Sequence, residues 1–379
     1  MARILHLSHN DIKTDARTLK QVKSAIDEGH QVIGVGLKLD KGLKESSFTS
    51  LAEIVSLKLW SKQLDFLPRN IFHLLCFLEM LPRMFVRGLR AKPQLIHCSD
   101  TLVLPIGAAI KLCTGARLVY DAHELESNRN GISKIASVVT LQAERVLWRF
   151  IDALIVVSPS IEEWYKQNIG RKKSVVVLNS PIVKNGSTNS NYLRGKFGIA
   201  DGQLVFLYLG ILARGRGIEL VLDAFSDPEV KSSVVFLGYG ELQGVVIQNA
   251  KNNKNIHFHS GIEHERVVDI TRSADVGVCL IQNVSLSDYY CLPNKLFEYA
   301  FSGIPVLASN FPDIKDVVTK YKLGKVCDLD KKSVIDTIKL LESCYEYLEP
   351  GEDLSDLSWV AQSKKLANLY SEVLGNANQ

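Results

Sequence analysis

Lys295 and Glu298 stand three residues apart in the stretch LPNKLFEYAFSGIPVLAS (residues 292–309). The stretch reads as a loop, a short helix, a tight turn and a buried strand. Pro293 suits the first helical position, where a missing N–H costs nothing. Leu296, Phe297 and Ala300 recur at helical spacing, Gly303 suits a left-handed cap, and Pro305 prevents continuation. Lys295 falls in the first turn, where free N–H groups and the helix dipole favour an anion. Glu298 is near the same face. A cation and a helix start for phosphate, with a carboxylate for two hydroxyls, suit a sugar nucleotide. The plain alternative is a surface Lys–Glu pair.

Two further groups have comparable chemistry. Arg214 and Arg216 lie in ILARGRG, between a strand (203–210) and a helix (218–225), a natural seat for a diphosphate. Asp121, His123 and Glu124 lie in YDAHE at the carboxyl end of a second strand, where open parallel sheets bind ligands. KPQLIHCSD (92–100) is an earlier copy of the same strand-then-polar pattern. A histidine after a strand is often structural, and loop arginines often face solvent.

These residues need elements to hold them. Residues 3–8 read as a buried strand. A loop and an amphipathic helix follow, with Leu19, Val22 and Ile26 on its apolar face, and then a strand at 31–37. That order implies a right-handed parallel crossover. Strands recur near 174–181, 203–210, 255–261 and 273–281, so both halves alternate strand and helix, the pattern of an α/β fold. KNGSTNSN (184–191) is the clearest linker. SVVFLGYGELQG (233–244) has G-x-G-x-x-x-G spacing and no well-placed acid downstream. It argues against a nicotinamide-dependent enzyme and reads as a loop beside a nucleotide, with Gly238 in it.

PNKLFEYAFSGIPVLAS resembles the signature of the retaining family 4 glycosyltransferases, and YDAHE resembles their histidine motif. The resemblance implies the GT-B fold: two Rossmann-like domains facing across a cleft, here residues 1–183 and 192–356, with a last helix (357–379) crossing back. It implies that the later domain binds a nucleotide diphosphate sugar. Glu298 would hold the ribose, and the helix start at Asn294, Lys295 and Leu296 the diphosphate. Arg216, and Arg214 beside it, would add charge near Gly210. His123 would approach the transferred sugar. The N-terminal loop SHNDIKTDAR, with Asp15, Arg17 and Lys20, would face the acceptor, a glycan or lipid-linked saccharide. The reaction implied is hexosyl transfer with retention at the anomeric carbon. No metal or other cofactor is obligatory. Two positions depart from the family: Tyr290 replaces a second Glu, for which Asp288 is a substitute, and Ile211 replaces an Arg. The departures keep open a non-catalytic sugar-nucleotide-binding partner subunit. An inverting transferase or sugar-nucleotide epimerase on this fold is the other alternative.

The totals are ordinary for a soluble globular protein, and the length makes two domains the expectation. Of 379 residues, 46% are hydrophobic and 23% charged, and a net charge of +4 gives no reason to expect nucleic acid. Seven scattered Cys without C-x-x-C suggest reduced thiols and a cytoplasmic setting. The N-terminal apolar run is too short for a secretory signal, and no stretch suits a bilayer span. Residues 62–92 are basic and strongly apolar, which suits either a packed helix or contact with an anionic membrane surface. The D-x-D in CDLD (327–330) falls in a late loop and is read as a decoy rather than a metal site.

Overall fold

A computed structural model describes residues 1–38, 52–182, 191–262, 266–345 and 353–375. The chain divides into two compact units, Met1–Val177 with Gln362–Gln379, and Leu178–Ala361. The first therefore includes most of the last helix, Trp359–Gly375. The linker expected at 184–191 falls, apart from Asn191, outside the described residues.

The first unit holds seven parallel strands: β1 (Arg3–Ser8), β2 (Gln31–Leu37), β3 (Ala52–Leu57), β4 (Leu95–Ser99), β5 (Arg117–Ala122), β6 (Ala153–Val156) and β7 (Lys173–Val176). Their order is β3-β2-β1-β4-β5-β6-β7. The second unit holds β8 (Val205–Ile211), β9 (Ser233–Tyr239), β10 (Ile256–Ser260), β11 (Val276–Cys279), β12 (Val306–Ser309) and β13 (Gly324–Cys327), in the order β10-β9-β8-β11-β12-β13. Both are Rossmann-like. Each reverses strand order once, between β1 and β4 and between β8 and β11, and ligands of such sheets bind just beyond the strand ends at that switch.

The central strands are mostly apolar and buried, as in parallel sheets covered on both faces, whereas the edge strands β3, β7 and β13 are partly exposed. Val234 to Leu237 are all buried, so the stretch read as a loop at 233–244 begins as strand β9. Gly238 lies in that strand, where a Cβ would stand 1.8 Å from the Gly210 carbonyl. Its missing side chain lets β8 and β9 approach. Gly210, at the end of β8, has φ 123°, a conformation that glycine alone adopts readily.

The helix Ala16–Asp27 corrects the expected apolar face. Its most buried side chains include Arg17, Thr18 and Gln21 beside Val22 and Ala25, whereas Leu19 and Ile26 are half-buried. Polar groups point inward because a buried carboxylate lies beneath them.

Candidate active site

In the second unit, the helix Asn294–Ser302 starts one residue later than Pro293. Pro293 is its extended N-cap, and no side chain caps the helix start. Gly303 closes it at φ 74°, as its position after the apolar run predicts. Tyr299 anchors the helix. Its hydroxyl accepts from Leu209 N (2.9 Å) and donates toward Leu207 O (2.9 Å), which ties the helix to β8. Its ring lies over Gly277 of β11, where a Cβ would come within 2.2 Å of it. Ser309 bridges β12 to the end of β11, accepting from Ile281 N (2.7 Å) and donating to Ile281 O (2.9 Å).

This anchoring buries Lys295 to 9% exposure. Its Nζ lies 4.0 Å from the centroid of the Tyr208 ring and has no hydrogen-bond partner among the described residues. Burial lowers its pKa to about 8; Arg216 pushes the same way, and Cys279, Cys291 and Glu298 oppose. A buried ammonium held only by an aromatic face is costly, and such groups normally have an anionic partner. Burial likewise raises the Cys279 thiol to about 11, so that group is no thiolate partner.

Arg216 stands in the loop between β8 and the helix Ile218–Phe225. Gly215 (φ 80°) and Gly217 (φ 75°) flank it, and a Cβ on Gly217 would meet Leu280 O at 2.7 Å. The loop is pinned to the end of β11 by Gln282 N donating to Gly215 O (2.9 Å). Arg216 is 38% exposed and lies 3.5 Å from Asp288. Asp288 sits in a short helix, Leu286–Tyr289, inside the stretch expected to be a loop, and accepts from the Ser285 hydroxyl (2.7 Å). Arg214 and Ile211 are exposed, Asn294 is exposed, Leu296 is fully buried, and Glu298 is half-buried. Arg216, Lys295 and Glu298 thus belong to one locality in which the two cations and Glu298 interact electrostatically.

The first unit builds a different cluster at the ends of β1, β4 and β5. Asp121 is fully buried. Arg17 Nε (3.3 Å) and Nη2 (2.9 Å) donate to its two oxygens, Gln21 Nε2 donates at 2.5 Å, and His123 Nε2 lies 3.2 Å away. Burial alone would raise the Asp121 carboxyl, but Arg17 and His123 outweigh it and hold it well below the usual carboxylate range. Asp100 lies 3.5 Å from His123 Nδ1 and 3.1 Å from His9 Nδ1. It has φ 75°, an uncommon conformation for a non-glycine residue. Burial alone would lower His123, yet the two carboxylates raise it to about 9. His123 is therefore an imidazolium at neutral pH.

Of the residues expected to meet an acceptor, Arg17 is buried against Asp121 and donates to Val177 O (3.0 Å). Asp15 caps its helix, accepting from Thr18 N (2.9 Å). Lys20 is half-buried and already engaged. Asp100, His97 and Tyr299 were not singled out in sequence; only the repeat of the strand-then-polar pattern at 92–100 pointed toward the first two. The D-x-D has structural duties. Asp328 accepts from Asn310 Nδ2 (2.9 Å) and Asp330 caps the helix Lys331–Cys344. Among the described residues no group of His, Cys, Asp or Glu is arranged to hold a metal ion.

Residues 18–182 match the family model Glycosyltransferase Family 4, and residues 190–351 match Glycosyl transferases group 1. Sucrose-phosphate synthase from Thermosynechococcus elongatus superposes with a TM-score of 0.82 at 16% identity, over 99% of this chain and 100% of that one. HepE from Anabaena, in complex with UDP-glucose, gives 0.73 at 14% identity, over 98% and 100%. The catalytic domain of starch synthase IV from Arabidopsis thaliana, bound to ADP and acarbose, gives 0.66 at 14% identity, over 99% of each. No curated protein matches in sequence. Identities this low speak for the fold, and the two domain models speak for the family. Two consecutive glycosyltransferase domains on two Rossmann-like sheets make this chain a member of the GT-B glycosyltransferases.

Proposed function

We propose that the chain transfers a hexose from a nucleoside diphosphate sugar to a hydroxyl of a glycan or lipid-linked acceptor, with retention at the anomeric carbon. One observation carries this reading: Lys295 is a buried ammonium without a hydrogen-bond partner among the described residues, at a helix start with no side-chain cap, with Arg216 in its locality. A diphosphate supplies what that arrangement lacks. HepE with UDP-glucose and starch synthase IV with ADP share a nucleoside diphosphate ligand, which is the part such a seat would recognise.

In the reaction the bond from the anomeric carbon to the diphosphate breaks and a bond to the acceptor oxygen forms. The acceptor attacks on the face the diphosphate leaves, and its proton passes to the departing phosphate oxygen, a course that retains configuration and is the one the family resemblance implies. Arg216, Lys295 and the helix N–H groups meet the charge that develops on the diphosphate; preorganised charge of this kind is usually the largest catalytic contribution. Glu298 orients the nucleoside through its ribose. His123, carried as an imidazolium, meets the transferred sugar. The charge is supplied by side chains and N–H groups, so no metal ion is required.

The test is turnover of purified protein on a panel of nucleotide sugars, with the anomeric configuration of the product read by NMR. Arg216→Ala and Lys295→Ala are expected to lose about 10²-fold or more in kcat, and Glu298→Ala to weaken donor binding chiefly. Inverted product stereochemistry would point to the inverting alternative. Donor binding without transfer to any acceptor would point to a partner subunit.

Lipid contact is part of the proposal. The helix Arg69–Ala91 exposes Ile71, Leu74 and Leu78 along one face, with Trp60 (75% exposed) and Phe66 (77%) ahead of it and exposed Arg87 and Arg90 further along. Among the described residues no helix is long and apolar enough to cross a membrane. Apolar and basic residues combined in this way suit the surface of an anionic bilayer. Salt-sensitive binding to phosphatidylglycerol vesicles, lost in Leu74→Glu, is expected; equal binding to neutral vesicles would contradict the electrostatic part.

A further inference from the structure

The cluster around Asp121 contains groups for which the proposed reaction has given no role. His97 of β4 is fully buried. Its Nδ1 lies 2.8 Å from the hydroxyl of Tyr370, which comes from the last helix. Its Nε2 lies 3.4 Å from Asp121 Oδ2, an electrostatic contact longer than a good hydrogen bond. His6 of β1 stacks on the His97 ring, centroids 4.3 Å apart and planes 18° apart, which fixes the plane of the imidazole. Neither His6 nitrogen has a hydrogen-bond partner among the described residues.

These contacts point to one placement of the proton on His97. Burial lowers the pKa of His97 and of His6, so both are neutral at pH 7. Burial raises that of Tyr370, which keeps its O–H. Only one arrangement puts a hydrogen toward the Asp121 carboxylate: Tyr370 O–H donates to Nδ1, and the imidazole proton is on Nε2. The other tautomer would aim a lone pair at an anion. Which nitrogen carries the proton decides what a buried imidazole offers its neighbours.

We infer that Tyr370 and His97 are positioning residues for His123, acting along the line Tyr370 hydroxyl, His97 imidazole, Asp121 carboxylate, His123. The role rests on the proposed reading in which His123 meets the donor sugar. His97 turns its N–H toward Asp121 Oδ2, the same oxygen that His123 meets, at a distance too long for a good hydrogen bond, while Arg17 and Gln21 donate to the carboxylate. A carboxylate satisfied in this way leaves the shared proton on His123. The remaining charged groups around His123 are Asp100 and, through it, His9, with Glu124 and Glu126 in the segment that follows β5; Arg129 pairs with Glu126 (3.3 Å). Of these groups none is hydrogen-bonded to or ion-paired with His97 or Tyr370 among the contacts described, so the hydrogen-bonded route from those two positions to His123 runs through Asp121.

The experiment is side-chain nitrogen NMR of histidine-labelled full-length protein, with turnover measured alongside. In the wild type His97 is expected as the Nε2–H tautomer. In Tyr370→Phe the tautomers are expected to mix. Asp121 then becomes a stronger base and draws the His123 imidazolium more strongly, so the His123 titration moves up by about half a pH unit, roughly a threefold change in proton affinity. Turnover is expected to fall about tenfold with the donor KM little changed, because the imidazolium is no longer held in one orientation toward the sugar. His97→Gln, whose amide can still donate to Asp121, is expected to restore the wild-type titration, and His97→Leu to reproduce Tyr370→Phe. Wild-type titration and turnover in both folded Tyr370→Phe and folded His97→Leu would overturn the inference. If Tyr370→Phe fails to fold, the His97 pair decides alone. Undiminished turnover in His123→Ala would instead overturn the reading of His123, and the NMR would still judge the relay.

Discussion

Arg17 and Asp121 are 104 residues apart in sequence and form a fully buried, two-pronged ion pair at 2.9 and 3.3 Å. The pair ties the first helix to the end of β5. Removing one member of a buried pair typically costs about 3–5 kcal/mol, an upper figure here because Gln21 and His123 still meet Asp121. Arg17→Ala is therefore expected to lower the unfolding free energy of the first unit by up to that much, seen as a lower denaturation midpoint. Arg17→Lys is expected to recover only part, because an ammonium cannot bind two oxygens in one plane. An unchanged midpoint for Arg17→Ala would show that the pair does not hold the helix in place.

Tyr299 and Gly277 make a comparable joint in the second unit. Tyr299→Phe strands the Leu209 N–H and the Leu207 carbonyl, and a buried polar group left unpaired costs about 1–3 kcal/mol. Gly277→Ala forces the ring off β11 and is expected to displace the Lys295 helix. Both variants should lose donor affinity as well as stability. A Gly277→Ala protein with normal affinity would separate the joint from the site.

Most strands and their parallel order were legible because apolar runs alternate with helical periodicity, whereas the largely half-buried β3 and β13 gave no such run; the Lys295 helix was legible because Gly303 and Pro305 punctuate it. The face of the first helix was not. Hydrophobicity pointed to Leu19, Val22 and Ile26, whereas the fold buries Arg17 and Gln21, since their partner Asp121 lies about a hundred residues away. Sequence spacing has no access to that pairing. The same limit hid Tyr299, whose hydroxyl bonds backbone groups 90 and 92 residues distant. Gly238 looked like part of a nucleotide loop, and only the register of β8 on β9 reveals its backbone reason.

The two shifted groups make opposite predictions for pH. His123 in the folded state titrates at about 9, above its ordinary value of about 6.5, so its stabilisation is complete below about 6.5 and lost as pH rises toward 9. The stability gap between wild type and His123→Ala should narrow over that window. Lys295 titrates at about 8, below its ordinary value, so the folded state binds fewer protons between about 8 and 10.5, and its penalty fades as pH rises there. A bound diphosphate would favour the ammonium. Binding of UDP or ADP at pH 8.5 is thus expected to take up a proton, seen as a dependence of binding heat on buffer ionisation. Proton release would contradict this.

The aspartates of the D-x-D are expected to matter for stability only. Asp330→Ala removes a helix cap, worth about 1 kcal/mol, and should leave turnover intact. Exhaustive EDTA treatment should also leave turnover intact, whereas a loss restored by magnesium or manganese would show that a metal takes part.

The central claim is that Lys295 and Arg216 seat a diphosphate. Calorimetric titration of wild type, Lys295→Met and Arg216→Ala with UDP, ADP and the corresponding uridine and adenosine tests it without assuming an acceptor. The account predicts that the wild type prefers a diphosphate to its nucleoside by about 10²-fold or more and that either substitution removes most of that preference, each charge-assisted contact contributing about 1.5–3 kcal/mol. Equal preference in all three proteins would place the diphosphate elsewhere and contradict the account.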